Sequence, residues 1–206
     1  MSDEGVDESK RETLRRFAAV GTAGSFTRFA GSAEADEEAP SESDARDAIA
    51  GYLTRTPGAH FSKLRDDLKL GTGETQHHLR RLIDAGRVES YKDGDYRRYV
   101  PAGQFSEFER TALSYLRRET ARGMIIALLS DAAATGSDIA ESLGVSRPTV
   151  SSYAADLETA GLLSREDGYS LVEPATILLL LVRYADSFGA DAVAFAADAD
   201  ELIEFA

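Results

Sequence analysis

Gly71-Thr72-Gly73-Glu74-Thr75-Gln76-His77-His78-Leu79-Arg80-Arg81-Leu82 carries one stripe of residues fit for a core and one fit for something else. Thr75, Leu79 and Leu82 recur at helical spacing and are expected to face inward. Thr72, Gly73, Gln76, His77, Arg80 and Arg81 are left to face out. Thr72 is read as the cap of this helix, and Gly86 as the residue just past its end, where positive φ is needed. Working upstream, a helix capped at Ser43 runs to about Thr54, and Pro57-Gly58 ends it. Phe61, Leu64 and Leu68 then share one face of a short second helix. Working downstream, Arg87 to Tyr91 and Tyr96 to Val100 alternate as strands around Asp93-Gly94, a strong hairpin signal.

The same pattern returns at an offset of 75 residues without a gap. The pairs that coincide are apolar or special: Ile49/Met124, Leu53/Leu128, Leu64/Ile139, Leu68/Leu143, Leu70/Val145, Leu82/Leu157, Gly86/Gly161 and Val88/Leu163. Each copy reads helix, short helix, turn, helix, then a glycine and two short strands. That order is a winged helix-turn-helix, the hairpin being the wing. The predicted fold is mainly α with small β-wings: tandem winged helix-turn-helix domains plus C-terminal helices.

The expected order is an N-terminal helix and acidic linker over 1–42, the first winged helix over 43–101, a connecting helix over 102–119, the second winged helix over 120–173 and C-terminal helices over 174–206. In the first segment, Lys10 to Phe29 reads as a helix weakened by Gly21 and Gly24. Ser32 to Ser43 reads as a solvated linker. The connecting helix, Phe105 to Arg118, is expected to run into the next one near Gly123 to Ser130. The second copy's reading helix spans Arg147 to Ala160, capped by Ser146, with Pro148 tolerated in its first turn. Its wing joins Leu162–Glu166 to Tyr169–Val172. Ala175 to Phe188 reads as a nearly all-apolar helix, and Asp191 to Phe205 as an acidic one.

Charge must be read locally. The chain has a net charge of −13, a poor default for a nucleic-acid partner. Yet residues 43–101 carry a net of +2 and all three histidines, while residues 120–172 carry −4. In the first copy, Gln76 suits adenine and Arg80 suits guanine; Thr72 with the helix N–H groups suits a phosphate, and Gly73 permits close approach. Lys92, Arg97 and Arg98 on the wing suit an adjacent backbone or minor groove. The DNA-facing set is therefore Thr72, Gly73, Gln76, His77, Arg80, Arg81, Lys92, Arg97 and Arg98. At matching positions the second copy offers Arg147, Pro148, Ser151, Ser152 and Ala155. Arg147, Ser151 and Ser152 are expected to make only weaker, secondary DNA contacts.

Other chemistries find little footing. There is no cysteine, so thiolate and disulfide chemistry are excluded. His77 and His78 are adjacent and point about 100° apart on a helix. No metal, cofactor or catalytic role is expected: neither a Gly-rich phosphate loop nor a nucleophile–base set is present. Arg15-Arg16 before Phe17-Ala18-Ala19 imitates an export signal, but Thr27-Arg28 interrupts the apolar run, and an amphipathic helix in a cytoplasmic protein is the reading preferred. The longest apolar run, Ile177 to Val182, is too short to span a bilayer.

Arg outnumbers Lys 19 to 4, and with its acid excess the chain resembles proteins of salt-in halophilic archaea. Pro57 to Leu64 and Gly71 to Leu82 resemble archaeal transcriptional regulators that hold two winged helix-turn-helix domains in one chain. Ile139 to Ser151 is similar to a MarR- or ArsR-type helix-turn-helix. The resemblance implies sequence-specific binding of double-stranded DNA, with Thr72 to Arg81 and Arg147 to Ala155 as the two recognition helices. Tyr153-Ala154-Ala155-Asp156 departs from that pattern. The second copy is therefore expected to scaffold or to form a homodimer with the C-terminal helices. The alternative is a winged-helix protein-interaction module in a transcription or chromatin complex that never touches DNA.

Overall fold

A computed structural model of the chain describes residues 4–21 and 42–203 and divides into two compact units, Met1–Gln104 and Phe105–Ala206. Nearly all of the expected linker, and the part of the first helix expected beyond Gly21, lie outside the described residues. So does the end of the last helix, expected to reach Phe205.

In the first unit the order is α1 (Glu4–Gly21), α2 (Glu42–Arg55), β1 (Ala59–His60), α3 (Phe61–Asp67), α4 (Thr72–Asp84), β2 (Val88–Asp93) and β3 (Tyr96–Pro101). Ile49 and Leu53 of α2, Leu64 of α3, Leu79 and Leu82 of α4 and Val88 of β2 close on one buried cluster, which Leu14 of α1 joins. Fully burying each such side chain contributes roughly 1.5–3 kcal/mol. β3 is the central strand of a three-stranded antiparallel sheet in the order β1-β3-β2. The two-residue β1 pairs Ala59 with Tyr99 and His60 with Arg98, a strand the periodicity of so short a segment does not reveal. Asp93 pairs with Tyr96, so the hairpin turn is Gly94-Asp95 rather than Asp93-Gly94, with Gly94 supplying a φ of 56°.

The second unit runs α5 (Glu107–Leu116), α6 (Glu119–Ser130), α7 (Gly136–Leu143), α8 (Arg147–Thr159), β4 (Leu163–Ser164), β5 (Ser170–Leu171), α9 (Pro174–Arg183), α10 (Ala185–Phe188) and α11 (Ala190–Ile203). α8 begins and ends 75 residues after α4. The backbone after each short helix repeats as well: Lys69 has a φ of 55° and Gly144 of 63°.

Two expected continuous helices are broken. The connecting helix stops at Leu116 and α6 restarts at Glu119, after Arg118 in an extended conformation. The buried Arg122 guanidinium holds this break, donating to the Leu116 carbonyl at 3.0 Å and to Asp191 Oδ2 at 2.8 Å. The apolar C-terminal helix divides at Tyr184 into α9 and α10. There Arg117 donates to the Ser187 carbonyl at 3.2 Å and lies over the Phe188 ring. No described helix is long and apolar enough to cross a membrane.

Candidate nucleic-acid interface

α4 is positioned from below by its buried stripe. Thr75 is fully buried and donates from Oγ1 to the Gly71 carbonyl at 2.8 Å, while His78, Leu79 and Leu82 are buried beside it. The N-cap is Gly71, not Thr72. Thr72 is the first helical residue, and the Gly71 N–H is taken by Glu74 Oε2 at 3.1 Å. Thr72, Gly73, Gln76, His77, Arg80 and Arg81 are all exposed on the opposite face. Nothing lies within 4 Å of where a Gly73 Cβ would stand, so its backbone is open to an approaching partner.

The wing brings a further set to the same place. Lys92 and Arg97 are directly opposite across the hairpin, and both are exposed. Like charges facing each other across two strands are mutually destabilising, which makes the pair costly unless an anion offsets it. Arg97 and Tyr99 of β3 line one wall of a cleft of about 470 Å³, and Thr72, Gln76 and Arg80 of α4 line the other. Phe61, Leu79 and Ile83 form its apolar floor. Burial pushes the Tyr99 hydroxyl pKa up, with Arg97 opposing that rise.

Arg98 corrects the expectation drawn from the strand. It is buried, donates to Asp93 Oδ2 at 2.6 Å and to the Gly58 carbonyl at 2.9 Å, and so is committed to tying the wing to the turn between α2 and β1. Side chains alternate along a strand, so Arg97 and Arg98 cannot share one face. That alternation is the sequence signal that separates them. No such signal announced the floor residues Phe61 and Ile83, which meet the wing only in three dimensions.

The histidines are dispersed by role. His60 caps α3, its Nδ1 accepting from the Lys63 N–H at 3.2 Å. His78 is buried, and His77 is exposed on the outer face. Among the described residues, no group of three or more His, Asp or Glu side chains could hold a metal ion.

The second module has the same scaffold with a different surface. Ser146 caps α8, accepting from the Thr149 N–H at 3.2 Å. Arg147, Ser151 and Ser152 are exposed. Its wing cation, Arg165, donates to Glu158 at 2.7 Å, and hydrogen bonding to that guanidinium holds the Glu158 pKa below its ordinary value. With strands of two residues each, this wing does not extend as the first one does.

Comparison with known families agrees with this architecture. Residues 43–113 match a family model described as an N-terminal HTH domain, and residues 119–169 match the MarR family. No curated protein and no solved structure matches the chain. The chain therefore carries tandem winged helix-turn-helix domains, the first matching an N-terminal HTH family and the second similar to the MarR family, which supports a DNA-binding transcription regulator in general.

Proposed function

We propose that this regulator reads a specific DNA sequence chiefly through its first winged helix. α4 enters the major groove, where Gln76, His77, Arg80 and Arg81 meet base edges and Thr72 and Gly73 meet a phosphate. Lys92 and Arg97 lie over the adjacent backbone or minor groove. The observation that carries this reading is the exposed Lys92–Arg97 pair, with Arg97 facing the polar side of α4 across a cleft. An interface for another protein would favour a charge-depleted, apolar centre, whereas the exposed face of α4 and the wing beside it carry Gln76, Arg80, Arg81, Lys92 and Arg97.

The second module serves mainly as scaffold, with Arg147, Ser151 and Ser152 in weaker contact. The chain works in the cytoplasm as a homodimer on a pseudo-palindromic site. Leu179 of α9 and Val193 of α11, 62% and 43% exposed, support docking of a second copy on the C-terminal helices. Sedimentation velocity reads that state directly, and a monomer at every concentration would exclude it.

The test is a gel-shift series on a duplex selected by the wild-type chain from random sequence. Arg80→Ala combined with Arg97→Ala is expected to abolish specific binding. Arg147→Ala is expected to cost less than about threefold, the scale of one weak surface charge. Equal losses would refute the division of labour, and no selection of any duplex would favour the protein-interaction alternative.

A further inference from the structure

α1 lies outside the residues that either family model matches, and the DNA-reading set does not include it. It is nonetheless part of the first unit's core. Leu14 is 1% exposed, and the Phe17 ring meets Tyr52 edge-on at 5.3 Å. The helix also reaches the start of α4. Lys10 Nζ stands 3.0 and 3.2 Å from the two carboxylate oxygens of Glu74, and Lys69, two residues before Gly71, donates to the hydroxyl of Ser9.

Glu74 occupies a demanding position. As the third residue of α4 it helps close the helix end, yet it also places a negative charge where a DNA phosphate would approach. Burial works against its charge, but hydrogen bonds from Lys10 and the Gly71 N–H, with the positive charge of Lys10, outweigh that and hold its pKa below the ordinary value. Glu74 is therefore an anion at neutral pH. An uncompensated carboxylate at that end would repel phosphate, and one paired with an ammonium would repel it far less.

We propose that Lys10 is a positioning residue for DNA reading: by neutralising and holding Glu74 it makes the N-terminal turn of α4 acceptable to a phosphate, so that α1 belongs to the reading head. This rests on the DNA-reading function proposed above.

The experiment uses the full chain, the duplex selected by the wild type, and fluorescence anisotropy. Lys10→Ala is expected to weaken binding roughly two- to fivefold, the scale of one charge at a helix end. Glu74→Gln in the Lys10→Ala background is expected to restore it, because the repelling charge is gone while the amide oxygen still accepts from Gly71. Binding by Lys10→Ala at wild-type strength overturns the proposal. A loss that Glu74→Gln does not restore also overturns it and leaves α1 a packing element alone. Thermal melting accompanies each variant, and Lys10→Met, which keeps the aliphatic stem, replaces Lys10→Ala if the latter fails to fold.

Hydrogen exchange at the Gly71 and Thr75 amides, which donate to Glu74 Oε2 and to the Gly71 carbonyl, is measured without DNA and separates the two readings. It is expected to quicken in Lys10→Ala, and unchanged exchange would overturn the claim that Lys10 holds the helix end. If the wild-type chain selects no duplex, the proposed function falls and the DNA role of Lys10 falls with it. Quickened exchange in that case would still show the pairing holding α4.

Discussion

Arg97 and Arg98 are neighbours in sequence with opposite environments. Arg98 is closed against Asp93 and Gly58, while Arg97 is exposed and lines a cleft with α4. Removing one partner of a buried, hydrogen-bonded ion pair costs about 3–5 kcal/mol, because the other charge is left uncompensated. Arg98→Ala is accordingly expected to destabilise the first unit by about 3 kcal/mol in denaturant titrations of the full chain. Arg97→Ala is expected to change stability by less than about 0.5 kcal/mol while weakening DNA binding. If both variants melted alike, the assignment of one arginine to structure and the other to the partner would fail. The helix residues were easier to read. The outward positions of Gln76, His77 and Arg80 follow from the inward spacing of Thr75, Leu79 and Leu82, and all three are exposed. The capping role did not follow in the same way: Thr72 is a good cap by type, but Glu74 reaching back to the Gly71 N–H moves the boundary one residue earlier.

Elements whose ends depend on distant partners were less legible than those ended by local chemistry. α4 and α8 end before Gly86 and Gly161, each at positive φ, and both stops are visible in the sequence. The break between α5 and α6 is held instead by Arg122, which joins the end of α5 to Asp191 at the start of α11. Desolvation raises the Asp191 pKa, but the hydrogen bond and charge of Arg122 outweigh it and leave the carboxyl below its ordinary value. A carboxyl whose folded pKa is depressed contributes stability above its unfolded pKa and loses it as pH falls through the folded one. The melting temperature of the second unit is thus expected to drop below about pH 4, the ordinary aspartate range. Asp191→Asn should make that drop shallower, though modestly, because the Asp191 side chain is 41% exposed and partly screened. Parallel acid profiles for the two proteins would show that Asp191 has no part in the acid response.

For the molecule as a whole, a net charge of −13 argues against binding a polyanion by charge alone. Each cation that neutralises a phosphate adds close to one unit to the slope of log affinity against log salt. Arg97→Ala is therefore expected to reduce that slope by roughly one. Gln76→Ala should leave the slope nearly unchanged and relax the base preference at a single position. Binding isotherms across a salt series check both, and equal slopes for the wild type and Arg97→Ala would remove the phosphate role. The sequence by itself determined the duplicated scaffold, the glycine stops after α4 and α8 and the charge asymmetry between copies, because periodicity, glycine placement and residue type are local properties of the chain. Only the tertiary structure decided which cations remain available. Arg98 turns to Asp93, Arg165 to Glu158, and Lys10 to Glu74 across 64 positions of sequence, since an ion pair forms wherever folding brings opposite charges together. It also brought Phe61 and Ile83 under the wing and made α1 part of the first unit, neighbours that chain order does not encode.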